Sequence, residues 1–320
     1  MAGSSTPDLA AAVCKAGGLG FLALGALDPA GASRAIGALR QRARGVFGVN
    51  LFCHAPPRRD PAQEAAWIQT LRPRFAQFGT SPPQRLTEIY STFRDNDAML
   101  AVLLAERPAI VGCHFGLPTS AQIAALKQAG CALWATATSV AEGRAIAEAG
   151  FDAIVAQGYE AGGHRGIFDP GGLDERLDHL ALVRALIPLG LPVVAAGAIM
   201  DRAGARAAMA AGAAAVQCGT AFLRAPEAAT PPAHRDALSV GLTAMTRAIS
   251  GRPARCLVND FTRIDDAAAA DYPLAYDLGK ALHAAASARG HHGYGAFWAG
   301  TGAAASVARP AAQTVLAISP

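Results

Sequence analysis

Apolar residues along this chain gather into short, nearly unbroken runs separated by longer stretches with helical spacing. The runs cover 18–24, 45–52, 109–116, 131–136, 153–157, 191–199 and 214–222. Because they are continuous rather than alternating, they predict strands buried on both faces. Predicted helices between them cover 7–16, 29–43, 61–78, 84–106, 119–129, 139–149 and 173–189, with a further one capped by Asp201. Thr6 before Pro7 and Asp28 before Pro29 are helix starts, with a side chain to cap the amides and a proline at the first helical position. Strands and helices alternating at these lengths predict parallel βαβ units. Seven such strands are one short of a closed eight-stranded barrel, and the expected eighth would precede Met1. The predicted fold is therefore an α/β TIM (β/α)8 barrel with its N-terminal strand truncated.

After Phe222 the pattern changes. A proline-rich loop at 226–232 leads into expected helical segments at 234–250 and 274–288, then a glycine- and aromatic-rich tail at 293–300. This predicts a C-terminal helical addition over the barrel mouth. The expected division is a barrel at 1–225, a helical substrate-pocket segment at 226–290, and a tail at 291–320 returning to the barrel.

Composition narrows the function. Of 320 residues, 52% are apolar and 16% charged, a balance that excludes a disordered chain. The net charge is only +4, with no dense Lys/Arg run and few aromatic residues, so no nucleic-acid partner is expected. No apolar run approaches bilayer length, and no signal peptide is expected at the N-terminus. Six cysteines without a Cys-x-x-Cys pair fit a reduced, cytoplasmic protein. Cys53-His54 and Cys113-His114 resemble metal ligands only superficially. Neighbours on a strand point to opposite faces, and no metal site is expected.

The chemistry centres on residues 153–166. An apolar strand breaks there into Gly158-Tyr159-Glu160-Ala161-Gly162-Gly163-His164-Arg165-Gly166. Glycines let backbone amides approach a ligand, and a histidine moves protons near neutral pH. In an α/β barrel the site lies at the C-terminal ends of the strands. Asn50, His114, Thr136, Gln157, Gly197 and Gly219-Thr220 all sit at such ends. The loops after the last two strands are the usual phosphate cradle of this fold. A phosphate-bearing ligand is expected, flavin mononucleotide (FMN) among the candidates. No Gly-x-Gly-x-x-Gly follows a strand, so no Rossmann site is expected.

Several motifs resemble the nitronate monooxygenases, formerly 2-nitropropane dioxygenases. They are the opening Met-Ala-Gly-Ser-Ser-Thr-Pro, then 17–20, 48–52, 114–118, 157–166, 195–197, 217–222, 250–255 and 298–300. The resemblance implies a barrel holding FMN without a covalent link, with contacts from Asn50, Gln157, Gly162, Gly163, Gly197, Gln217, Cys218, Gly219 and Thr220. It implies His164 as catalytic base. Tyr272-Pro273 followed by Tyr276-Asp277-Leu278-Gly279-Lys280 is similar to the class I branch, which places Tyr90, His114, Tyr272 and Lys280 around the substrate. The implied reaction oxidises an alkyl nitronate such as propionate 3-nitronate with O2 to a carbonyl compound and nitrite. A small anionic nitro compound and O2 are then the partners, and a homodimer is compatible. Two alternatives stay open. One is a flavin-dependent NAD(P)H:quinone or enoyl-thioester reductase of the same fold, the other a catalytically impaired flavin-binding protein.

Overall fold

A computed structural model describes residues 3–320. Met1, expected beside the missing strand, lies with Ala2 outside the described residues. In chain order the barrel elements begin with α1 (Pro7–Lys15), β1 (Gly20–Ala23), α2 (Pro29–Arg42), β2 (Phe47–Phe52) and α3 (Pro61–Gln77). They continue with α4 (Asp97–Glu106), β3 (Ile110–His114), α5 (Ser120–Gln128), β4 (Ala132–Ala137), α6 (Val140–Glu148), β5 (Ala153–Gln157) and the two-residue β6 (Gly163–His164). Next come α7 (His179–Leu186), β7 (Val193–Ala196), α8 (Arg202–Ala210), β8 (Ala215–Gln217) and α9 (Pro232–Ala237). The C-terminal part holds β9 (Thr243–Thr246), β10 (Ala254–Leu257), α10 (Leu274–Ser287) and α11 (Ala311–Ile318).

Seven parallel strands pair in the order β1-β2-β3-β4-β5-β7-β8, curling into a TIM-barrel-like sheet with helices on its outside. Among the described residues β1 and β8 are the two edges. The predicted helix starts hold. Thr6, Asp28, Ser139 and Asp201 each accept a hydrogen bond from an amide in the first turn of their helix. The main core lies between the sheet and these helices, built from the outward-facing residues of the strands, among them Val49, Val111, Leu133, Ile154 and Ala195.

Four expectations are corrected. The helix predicted over 84–106 exists only as α4, because Asn96 caps it at the Met99 amide, and Tyr90 lies in the irregular stretch before it. The helix predicted over 173–189 starts at His179, because Asp178 is its cap and Asp174 is drawn away by Arg165. The strand predicted over 214–222 ends at Gln217 and turns into a 3-10 helix at Thr220–Phe222. The helix predicted over 234–250 stops at Ala237, beyond which Gly241 takes a left-handed φ of 75° and β9 begins.

The last correction changes the C-terminal addition. It is not wholly helical but carries a three-stranded antiparallel sheet, β6-β10-β9, with β10 in the centre. The outer strand β6 belongs to the loop after β5: Ala254 pairs with His164 and Arg255 with Gly163. A second core lies under this layer. Trp67, Leu71 and Phe75 of α3 pack with Leu278 and Leu282 of α10 and with Phe261. An early helix and a late one thus form the cover of the barrel together. Arg202 Nη2 donates to Leu316 O at 2.9 Å, holding α11 back against α8. No helix among the described residues is long and apolar enough to cross a membrane.

This second core carries a stability prediction. Leu278 is fully buried on α10, the helix that bears Tyr276 and Lys280. Leu278→Ala should cost about 2–5 kcal/mol, through lost transfer energy and the cavity left behind. Urea denaturation checks the cost.

Candidate active site

The loop after β5 is fixed from both ends by one side chain. Gln157 Nε2 donates to His164 O at 3.0 Å, and Gln157 Oε1 accepts the Gly166 amide at 2.7 Å. Arg165, 2% exposed, turns beneath the loop. It donates to both carboxylate oxygens of Asp174 at 2.9 Å and to Gln157 O at 2.6 Å. This fork geometry suits a buried guanidinium, which leaves few donors unsatisfied. The resulting ion pair holds the Asp174 carboxyl below its usual range against the opposing effect of burial.

Two glycines let the loop close. A Cβ on Gly162 would stand 2.3 Å from Gly300 N, and one on Gly166 would stand 2.5 Å from Thr136 Cγ2. Gly162 also meets the tail where the Gly300 amide donates to Thr220 Oγ1 at 3.0 Å.

His164 is the centre of this arrangement. Its Nε2 lies 2.8 Å from Ser250 Oγ, and Ser250 Oγ donates to Arg252 O at 3.3 Å. Across the Nε2–Oγ contact either partner can donate, according to the tautomer of the ring. Nδ1 makes no hydrogen bond among the described residues. Around the imidazole stand Trp298, Tyr272, Phe115 and Tyr276, with ring centroids at 4.9, 5.4, 5.6 and 5.8 Å. Burial in this aromatic box lowers the His164 pKa to about 3, helped by the nearby His114, Arg252 and His54. The ring is therefore neutral at physiological pH.

His114 stands behind His164. Its Nε2 donates to His164 O at 3.3 Å, and its Nδ1 meets Thr136 Oγ1 at 3.0 Å. Both nitrogens are occupied, so His114 acts on the site through the loop it braces. Burial lowers its pKa to about 4. Tyr272 is buried with its hydroxyl unpartnered, and Lys280 places its ammonium 4.9 Å from the Tyr90 ring centroid and 5.5 Å from that of Tyr276. Four of the expected pocket residues, His164, Tyr90, Tyr272 and Lys280, are thus joined through rings in contact.

Sequence reasoning missed four residues of this cluster. Ser250 sits between β9 and β10, where a helix was expected. Tyr276 was visible in its motif but given no role. His54 is buried with neither ring nitrogen partnered, edge-on to Tyr272 at 5.0 Å, and burial lowers its pKa to about 4. Arg252 lays its guanidinium 4.3 Å from the Phe115 centroid and donates to Ile167 O and Phe168 O. Its burial lowers its own pKa to about 10. A buried cation behind three histidines is an electrostatic reason for all three to stay neutral.

The expected cofactor residues lie at the strand ends around the barrel axis. Asn50, Thr136 and Gln217 line a small axial cavity with Phe21 and Trp134. Its volume of about 10 Å3 holds no more than a water, so a ring system would be received at the mouth. Gly197 has φ of 134° and Ala198 φ of 49°, a left-handed turn that presents successive amides. A Cβ on Gly219 would meet nothing within 4 Å, so the loop is open there. Cys218 packs against the barrel core, and burial pushes its thiol up to about 12. It can serve a ligand only through its main chain. Asp201 already occupies the first turn of α8, accepting the Gly204 amide at 2.8 Å, so anion-binding capacity resides in the loops and not in that helix. Amide donors at Asn50 and Gln217 and open main chain at Gly197 and Gly219 fit the polar edge and phosphate of a flavin.

The fold and site define an α/β-barrel oxidoreductase with a buried neutral histidine facing an aromatic, lysine-edged pocket. The sequence model of the nitronate monooxygenase family matches residues 1–318, and the chain belongs to that family. A nitronate monooxygenase of Paraburkholderia phytofirmans is 50% identical, covering 98% of this chain and 88% of its own length. One of Pseudomonas aeruginosa is 49% identical, with 98% and 92% covered. The solved structure of nitroalkane oxidase from Streptomyces ansochromogenes superposes with a TM-score of 0.92 at 39% identity, covering 99% of this chain and 92% of that one.

The histidines make stability depend on pH. His54, His114 and His164 stay neutral in the folded protein down to about pH 4, 4 and 3. Unfolded, each takes up a proton near pH 6.5. Between those limits the unfolded state binds more protons, so stability falls as pH drops from about 6.5 towards about 4. Urea unfolding across that window should show a falling midpoint, steeper for the wild type than for His54→Phe.

Proposed function

We propose that the protein oxidises alkyl nitronates to a carbonyl compound and nitrite, using non-covalently held FMN and O2. The observation that carries this reading is His164, buried and neutral with no hydrogen bond to its Nδ1, inside an aromatic pocket edged by the Lys280 ammonium. FMN bound there would supply the electron-accepting chemistry, with O2 as the final acceptor. Asn50, Gln157, Gly162, Gly163, Gly197, Gln217, Gly219 and Thr220 would hold it, Gln157 by keeping the loop in register.

The remaining work falls to the chain's own side chains. A nitronate is an anion, and Lys280 is the cation at the pocket edge that would draw it in. The Tyr272 hydroxyl, buried and without a partner, is placed to donate to a nitro oxygen, which would satisfy it. For a neutral nitroalkane, His164 Nδ1 would take the α-proton, and its proton-loaded ring would be tied to Ser250. The aromatic box excludes water from that exchange.

The reductase reading is not favoured. FabK of Thermotoga maritima, another solved neighbour, stands at 29% identity and a TM-score of 0.74, further away than the nitroalkane oxidase.

The test is to mix purified, FMN-loaded protein with propionate 3-nitronate, first without air and then with it. The flavin bands should bleach without NAD(P)H and return in air with nitrite release. Bleaching by NAD(P)H alone would overturn the reading. His164→Gln should lower kcat/KM for nitroethane by about 10²–10⁴-fold, the usual weight of general base catalysis. The pre-formed nitronate, needing no proton removed, should lose much less. Parallel kinetics on the two substrates check the difference.

A further inference from the structure

Arg252 is 3% exposed, and among the described residues it has no ion-pair partner. Its Nη2 donates to Ile167 O and Phe168 O, and its Nε is buried without an acceptor. The carboxylates that act on it, Asp271 and Glu142, are committed elsewhere. Asp271 accepts the Arg58 and Tyr272 amides, and Glu142 accepts the Thr138 and Phe168 amides. Arg247 adds a second positive charge that opposes them. A buried guanidinium in this state is costly unless an anion comes to it.

Phe115 is in contact with both this charge and the pocket. The guanidinium lies 4.3 Å from its ring centroid, and the rings of His114, Tyr272 and His164 stand at 4.4, 5.4 and 5.6 Å. The Phe115 backbone is held at φ 76°, a left-handed conformation that strains a bulky residue. Gly116 follows at φ 140°, where a Cβ would stand 2.8 Å from Cys53 O. A residue so enclosed keeps one position, and its ring fixes how near the cation stands. The positive field reaches four groups. It favours the ionised form of Tyr272 and disfavours the ionised forms of His164, His114 and His54. In a dry region a charge acts across such a distance far more strongly than in water.

We infer that Arg252 is the fixed counter-charge of the bound nitronate, a positioning residue that holds the anionic nitro group against Tyr272 without touching it. The inference rests on the nitronate reading of the site and adds which charge keeps the anion once it has entered. Lys280 is exposed, so its attraction is screened by salt, whereas Arg252 is not. A substrate that arrives as the anion meets the full field on binding. A neutral nitroalkane meets it only as the α-proton passes to His164. The C–H electron pair then becomes the C=N bond of the nitronate, and the nitro oxygens take the negative charge. The same field resists the proton on His164, so the nitroalkane gains less than the nitronate does.

The experiment separates charge from packing. Arg252→Gln keeps a donor for Ile167 O and removes the charge, and Arg252→Lys keeps the charge. On FMN-loaded protein, Arg252→Gln should raise KM for ethyl nitronate about tenfold with kcat little changed. For nitroethane it should lower kcat with KM little changed. Arg252→Lys should restore most of both losses. The ionic-strength dependence of nitronate kcat/KM should persist in Arg252→Gln and flatten in Lys280→Met. A purely structural role would move both parameters alike for both substrates and leave Lys no better than Gln. That result, or Arg252→Gln kinetics equal to wild type, overturns the inference.

Nitrate, an unreactive planar oxyanion, gives a reading apart from turnover. It should raise the melting temperature of FMN-loaded wild type and Arg252→Lys more than that of Arg252→Gln. If no nitronate is turned over, the proposed reaction fails and this comparison alone decides, equal shifts in the three proteins counting against Arg252. If Arg252→Gln does not fold, Lys280→Met decides. At high salt its KM for ethyl nitronate should stay below that for nitroethane, and equal values overturn the inference.

Discussion

The structure depends on the ladder between β6 and β10. Two residues of a barrel loop, Gly163 and His164, are taken up as the edge of a sheet that otherwise belongs to the C-terminal layer. That pairing puts Ser250, two residues before Arg252 and close to β10, within reach of His164 Nε2. It brings Arg252 under Phe115 and Trp298 over the imidazole. Without it the barrel would still bury its core, but His164 would be a loop side chain with no fixed orientation. The Gln157 amide and the Arg165–Asp174 pair serve the ladder by setting the loop at the height where it can join.

Burial does the electrostatic work of the site. Three histidines share a region with the buried Arg252 guanidinium, and among the described residues no carboxylate is hydrogen-bonded to any of them. Each such ring favours its neutral form, and the effect is mutual, since a proton on one raises the cost of a proton on the next. The result is a set of bases that hold lone pairs at neutral pH and are weak because they are dry. Such a base suits an already acidic carbon. Lys280 sits apart from this group, where its charge meets the faces of Tyr90 and Tyr276 and not the histidines.

Much of this was legible in the sequence. Continuous apolar runs marked the parallel strands, and Thr6, Asp28, Ser139 and Asp201 marked helix starts, because these are local signals. The glycines around His164 announced a loop where the chain is closely approached: Gly162 meets the backbone of Ala299 and Gly300, and Gly166 the side chains of Thr136 and His114. What was hidden is non-local. β9 and β10 are four residues each; β9 falls inside the stretch that read as helix, β10 was assigned to no element, and only the pairing of β10 with β6 and β9 makes them strands. Ser250 carries no spacing relative to His164, because 86 residues separate them. His54 looked like half of a metal dipeptide, yet its surroundings are the rings of Tyr272 and Phe115, which lie far away in the chain. α3 gave no sign that its partner would be α10, because its apolar stripe fits any apolar neighbour.

The alliance of α3 with α10 bears on how the molecule assembles. Each strand of the barrel pairs with its neighbour in sequence, apart from the short excursion to β6, so those contacts close loops of modest length. The cover joins Trp67 and Leu71 to Leu278 and Leu282, across most of the chain. Closing so long a loop costs more entropy than pairing neighbouring strands. Tyr276, Lys280 and the ladder that orients His164 all belong to the cover, so the geometry of the site depends on contacts that close some of the longest loops in the chain and is the first property lost when the cover loosens.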